Sequence, residues 1–299
     1  MNRIKRSEMD YLSTSWCGLN WSNWAPLKNK NHELKTLPAS PGVYKVRPID
    51  KDFLVYIGQT GRSLRERMGQ LRGYTKSETE MPFNDPHTAA PSLWAWRDAE
   101  GWEFQCSVAQ VEFKGLSKPD SKQMREGLES YLLWKYRLQN GESTNCNFGR
   151  FHPLYFKSAS GKSGRRGGLL PKGETNPSGG PSLPPLIPRG NPSDKNWMGL
   201  KWEEPVPLSN GYGNYLRDVP GIYRIIVTGE VVYIGQSQTL RSRINSHLCK
   251  EWGEEPQASV FFADENIISY QLHEWENDLI GGFFSEHQRP PKFQFKNLG

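Results

Sequence analysis

The chain has 299 residues, 35% of them hydrophobic and 12% aromatic, with a formal charge of +6 and a pI near 9.0. These values exclude a disordered polar chain and allow two domains that each bury a core. No run approaches the ~18 apolar residues of a membrane span, and the basic balance admits a polyanionic partner without requiring one.

Cys17, Cys106, Cys146 and Cys249 are scattered, with no C-x-x-C pair. This argues against a zinc site or disulfide framework and suits a reducing cytoplasm. Residues 1–6, Met-Asn-Arg-Ile-Lys-Arg, lead into polar sequence without an apolar h-region, so neither secretion nor a membrane location is expected.

Along the chain, a string W-x-G-L-x-W-x-x-x-x-P-L-x-N covers 16–29. Gly42-Val43-Tyr44 and Val55-Tyr56-Ile57-Gly58-Gln59 then read as a hairpin with a turn over 48–52. A short helix is expected over 63–72, with Ser63 as its N-cap. Next comes a segment near 74–101, containing Pro82, Pro86, Pro91, Trp94, Trp96 and Arg97, without a counterpart downstream. It suits either a recognition element or a docking surface. A strand over 103–111 and a helix over 122–139 complete the first half.

Residues 158–193 are more than half Gly, Ser and Pro, with Lys162, Arg165, Arg166, Lys172 and Arg189 among them. This composition reads as a flexible linker, spanning roughly 30–35 Å as a coil, either a plain spacer or a basic tether that touches phosphates.

The second half repeats the first. The tryptophan string returns over 197–210, offset by 181 residues, and Gly221-Ile222-Tyr223 follows Gly42-Val43-Tyr44 by 179. The run to Val232-Tyr233-Ile234-Gly235-Gln236 passes through Thr228-Gly229, a tight-turn signal. A helix over 239–250 with Thr239 as N-cap, a strand over 267–272 and a helix over 273–287 are expected after it. The order β-β-α-β-α therefore occurs twice, predicting an α+β chain of two tandem domains, each a small mixed or antiparallel sheet flanked by helices. The expected boundaries are 1–157, 158–193 (linker) and 194–299.

On the last helix, at 100° per residue, Leu272, Leu279, Ile280 and Phe283 fall within about 60° of Glu276. A carboxylate in an apolar stripe is costly unless it is paired or binds a cation. Glu129 holds the matching place, with Leu132, Leu133 and Tyr136 on its face, although Arg125 one turn back offers it an ordinary salt bridge. Arg67 follows Tyr56 by eleven residues and Arg243 follows Tyr233 by ten. Arg62, Arg65, Arg72 and Arg241 suit a solvated basic face, and with Arg97 they are candidate DNA contacts. His247 lies one turn beyond Arg243, where the first half has Leu71, and can be structural or catalytic.

Both halves resemble the GIY-YIG nuclease superfamily through these two tripeptides, the following Arg and the later helical Glu, over roughly 37–150 and 215–296. The resemblance implies that Glu129 and Glu276 each bind one divalent cation, Mg²⁺ or Mn²⁺, in contact with the scissile phosphate. It implies that Arg67 and Arg243 stabilise the pentavalent phosphate, and that Tyr44, Tyr223, Tyr56 and Tyr233 activate or position the attacking water and the phosphate. The family's Asn after the catalytic helix corresponds to Asn147, eighteen residues after Glu129. Gln294 stands at the same distance after Glu276, and His247 is a partner for proton transfer.

The expected activity is a metal-dependent endonuclease cutting both strands of double-stranded DNA in restriction or host defence. The chain would act as a monomeric pseudo-dimer or as a homo-oligomer. The alternatives are a nicking or structure-specific nuclease with one cutting and one DNA-binding domain, and a DNA-binding module without cleavage.

Overall fold

Each Gly-x-Tyr string opens a strand because its residues are β-branched or aromatic and its glycine has no room for a side chain. A Cβ on Gly42 would overlap the Ala109 carbonyl and Leu64; one on Gly221 would overlap the Phe261 carbonyl and Leu240. The computed structural model describes residues 10–28, 32–75, 89–158, 167–209 and 216–296. Residues 1–6, the portion of the expected insertion with Pro82 and Pro86, and Lys162, Arg165 and Arg166 lie outside the described residues.

In the first half, β1 (Ala25–Pro26), β2 (Gly42–Pro48), β3 (Tyr56–Thr60) and β4 (Phe104–Gln110) form a sheet of order β1-β4-β2-β3. After a small pair, β5 (Tyr155–Phe156) and β6 (Gly168–Leu169), the second half builds another sheet. Its strands β7 (Val206–Pro207), β8 (Gly221–Val227), β9 (Glu230–Ser237) and β10 (Gln257–Phe262) have the same order, β7-β10-β8-β9. Every strand pairing among the described residues is antiparallel, so neither sheet is mixed. Beside a single turn of helix at Glu33–Thr36, the longer helices are α1 (Leu64–Leu71), α2 (Ala90–Glu100), α3 (Lys118–Asn140), α4 (Leu240–Asn245) and α5 (Ser269–His287). The chain is α+β.

Contacts divide it into two compact units, 1–125 with 142–181 and 126–141 with 182–299. The division cuts α3 after Arg125 and so departs from the expected boundaries. In the first unit Val46, Val55, Leu64, Met68 and Phe104 are buried in one apolar cluster. In the second, the core gathers Trp197, Trp202, Ile222, Ile234, Leu272, Leu279 and Phe283.

The tryptophan strings fold as tight turns. Cys17 and Met198 both take φ 54°, and the indole Nε1 of Trp21 and Trp202 donates to the carbonyl of Trp16 and Trp197. Each turn packs over the cation that follows the motif tyrosine. Lys45 Nζ lies 4.4 Å from the Trp21 ring centroid and donates to the Tyr11 and Ser13 carbonyls at 2.9 Å. Arg224 lies 4.4 Å from Trp202 and donates to the Pro192 carbonyl.

Three expectations need correction. The third strand of the second half is β10, not 267–272; residues 269–272 are instead the first turn of α5, started by a hydrogen bond from the Ile268 amide to Gln271 Oε1. Thr239 makes no side-chain cap, whereas Ser63 Oγ accepts from the Glu66 amide as expected. The stretch expected to be a flexible linker is specifically bonded over 167–193. Ser182 Oγ and the Leu183 amide donate to Glu274, the Leu186 amide donates to Asp278, and Trp134 Nε1 donates to the Leu186 carbonyl, all at 2.9 Å. Leu186 is buried, so even this Gly/Pro-rich segment contributes apolar contact and satisfies buried carboxylates.

Candidate active site

Hairpin register sets the tyrosines. Tyr44 pairs with Gly58 and Tyr223 with Gly235. A Cβ on either glycine would collide with the facing phenol, so Gly lets the ring lie over the neighbouring strand. Tyr44 and Tyr56 have ring centroids 6.0 Å apart at 31°; Tyr223 and Tyr233 repeat this at 6.0 Å and 30°.

The second unit brings five predicted residues together: Tyr223, Tyr233, Arg243, His247 and Glu276. The Tyr223 hydroxyl lies 2.7 Å from His247 Nε2, and the two phenols hydrogen-bond to each other. Trp252 closes the back, its ring centroid 5.3 Å from His247 and 5.4 Å from Tyr233. Its Nε1 donates to the His247 carbonyl. His247 is buried, and burial, with Lys250 and Arg243 nearby, lowers its pKa to about 4. It is therefore a neutral imidazole at physiological pH, and its Nδ1 has no hydrogen-bond partner among the described residues.

Glu276 keeps partial access to solvent along its side chain, yet its carboxyl is set deep. Burial raises its pKa to about 7, opposed by Arg243 and by a hydrogen bond from the Gln236 backbone. Burial also raises Tyr223 well above the usual phenol range and raises Tyr233, with Glu276 adding to both shifts. Both phenols are therefore protonated, able to donate and position rather than act as phenolates. Sequence reasoning missed Gln236, Trp252 and His273. His273 Nε2 is 3.1 Å from Gln236 Nε2 while its Nδ1 donates to the Ser269 carbonyl; its place one turn before Glu276 was the available signal.

Asn147 and Gln294 make matching contacts with the backbone of the strand that carries the second tyrosine. Asn147 Oδ1 accepts from the Ile57 amide at 3.0 Å and its Nδ2 donates to the Ile57 carbonyl at 2.8 Å. Gln294 Oε1 accepts from the Ile234 amide at 3.0 Å. Both amides are buried and brace that strand at the edge of its sheet.

In the first unit, Arg67 lines a cleft of about 580 Å³ with Arg62, Lys118, Lys122, Arg125 and Glu66. Five cations against one carboxylate make it strongly basic. Lys118, Lys122 and Arg125 were legible as an i, i+4, i+7 basic face on α3 but were not selected from sequence. Glu129 falls in the stretch of α3 grouped with the second unit rather than with Tyr44, Tyr56 and Arg67. Leu71, which replaces His247, is a core residue. Among the other candidate DNA contacts, the Nε of Arg65 and of Arg241 donates to the Leu37 and Leu216 carbonyls at 2.9 Å, the same clasp in both halves. Arg72 Nε reaches the Gly69 carbonyl at 3.4 Å, and Arg97 pairs with Glu103 at 3.6 Å.

Among the described residues no group of three or more His, Cys, Asp or Glu side chains is placed to cage a metal. Glu276 alone fits only a hard cation that completes its shell with water and phosphate oxygens. Comparison with protein-family models, with curated proteins and with solved structures gave no match.

Proposed function

We propose that the chain is a metal-dependent phosphodiesterase acting on double-stranded DNA, built from two GIY-YIG-like halves. One observation supports this above the rest. The same tyrosine pair stands at the same spacing and tilt on two sheets of the same strand order, and in the second unit it meets a neutral histidine, an arginine and a desolvated carboxylate.

Each group then has a task. Tyr233 and Tyr223 orient the attacking water and a phosphate oxygen through their hydroxyls. His247, neutral and bonded to Tyr223, accepts a proton relayed through that phenol. Arg243 neutralises charge that grows on the phosphate. Glu276 would hold one Mg²⁺ or Mn²⁺, which when bound supplies charge neutralisation at the scissile phosphate. In the first half Tyr44, Tyr56 and Arg67 are assigned the corresponding tasks, with Glu129 as the carboxylate. Restriction or host defence is the proposed context.

A second reading, one cutting half and one holding half, is favoured by the basic cleft of the first unit. Supercoiled plasmid with Glu129→Ala and Glu276→Ala made separately decides between them. Two cutting halves predict that each single variant yields nicked circles and little linear product. The one-site reading predicts that Glu276→Ala abolishes both products while Glu129→Ala leaves cleavage unchanged. If both variants linearise plasmid at the wild-type rate, neither carboxylate serves cleavage and the proposal fails.

A further inference from the structure

The basic cleft does not end at Arg125. A second cavity of about 470 Å³ shares Gly61, Lys118 and Arg125 with it and runs to the loop over 111–116. The two ends differ chemically. At one end two helix starts, α1 after Ser63 and α3 at Lys118, border the basic cleft, so positive helix ends add to the five cations. At the other end Phe113 and Leu116 join a lining that still holds Lys114, Lys118 and Arg125 against a single acid, Glu112. Leu116 is 46% exposed on this lining.

We infer that this two-part trough binds an unpaired stretch of nucleic acid, phosphates over Arg62, Lys118, Lys122 and Arg125 and a base against Phe113 and Leu116. The inference rests on nucleic acid as the partner under the proposed function and adds the form of the substrate. A phosphate-binding face alone would suit an intact duplex, whose bases are stacked away from a groove of this kind. An apolar end beside the cations is useful only where a base is unstacked, at a single-stranded tail, a flap or an extruded nucleotide. An acidic peptide would satisfy the cations but leave the apolar end without a role.

Fluorescence anisotropy in EDTA separates binding from cleavage. The probes are a labelled single-stranded oligonucleotide, a duplex of the same sequence and polyglutamate of equal charge as competitor. The wild type should bind both the single strand and the duplex, since the proposed function already requires duplex binding, and only single-strand binding should depend on Phe113 and Leu116. Lys118→Gln with Lys122→Gln should flatten the salt dependence of single-strand binding by about 1.4 in log–log slope. Leu116→Ser, with Phe113→Ala as a second variant, should weaken single-strand binding about tenfold and leave the salt slope unchanged. All of these side chains except Phe113 are exposed, and an unchanged thermal midpoint confirms folding. The inference is overturned if Leu116→Ser binds single strand as the wild type does, if it weakens duplex binding by the same factor, or if polyglutamate competes as effectively as oligonucleotide. Plasmid cleavage lost with these affinities intact would sink the nuclease reading alone. Cleavage retained with the affinities unaltered by the variants would sink only this one.

Discussion

At the scale of single residues, Glu276 carries a conflict between stability and chemistry. Its folded pKa of about 7 lies above the ordinary 4.5, so the folded state binds the proton more tightly than the unfolded chain. Its contribution is fully present below about pH 4.5 and is lost as pH rises toward 7, a penalty of up to about 3 kcal/mol at pH 8. Glu276→Gln should therefore raise stability toward urea by about 1–3 kcal/mol at pH 8 and by almost nothing at pH 5, while abolishing cleavage by that half. Millimolar Mg²⁺ at pH 8 should raise the melting temperature of the wild type more than that of the variant, because only the carboxylate gains from the cation. An equal gain in both would remove Glu276 from the cation site. The sequence made this residue visible, since a lone carboxylate on an apolar stripe is an anomaly by helical geometry alone. It did not reveal Gln236 or Trp252, whose roles depend on strands and loops brought together by the fold. The same limit explains Asn147 and Gln294. Spacing located them, but only the fold shows their pairing with the backbone of Ile57 and Ile234.

At the scale of elements, hairpins and α1 were legible because turn residues and a capping serine act locally. The third strand of the second half lies ten residues before the expected 267–272, because Ile267 to Leu272 has the composition of a strand while the Ile268–Gln271 hydrogen bond starts a helix there. The tryptophan strings were visible as repeats but not as lids over buried cations. Lys45 is fully buried under Trp16, Trp21 and Trp24, and burial lowers its pKa to about 7, against the attraction of Asp10. A depressed ammonium pKa means that the unfolded chain binds the proton more tightly. Stability should therefore climb by a few kcal/mol from pH 7 to about pH 9.5 as the folded amine stays neutral. Lys45→Met should flatten that rise, as read from urea unfolding across this pH range. A rise of equal size in the variant would show that another group titrates.

At the scale of the whole molecule, the duplication was legible, since the offsets of 181 and 179 residues recur as sheets of identical strand order. What was not legible is the burial of three charges in the second unit. Arg137, Glu274 and Asp278 are all fully buried, although such residues ordinarily read as surface. Arg137 meets Asp278 at 2.8 Å and Glu274 at 3.3 Å, and also donates to the Leu183 carbonyl at 3.1 Å. The segment over 182–186 supplies the remaining donors, so a stretch whose composition suggests a coil is fixed by what it must satisfy. Burial still raises Asp278 to about 6, against the pull of Arg137, because the guanidinium is shared with Glu274. Arg137→Met would leave two carboxyls buried without their cation, a change that ordinarily costs about 3–5 kcal/mol. The loss should be greatest near pH 8, where Asp278 would have to stay charged or take up a proton, and should shrink toward pH 5, below its folded pKa of about 6. Hydrogen exchange of the β8–β10 amides at the two pH values reads this directly. Faster exchange in the variant at pH 8, partly restored at pH 5, is the expected pattern. Equal acceleration at both values would mean that Arg137 contributes by its packing volume and not by its charge.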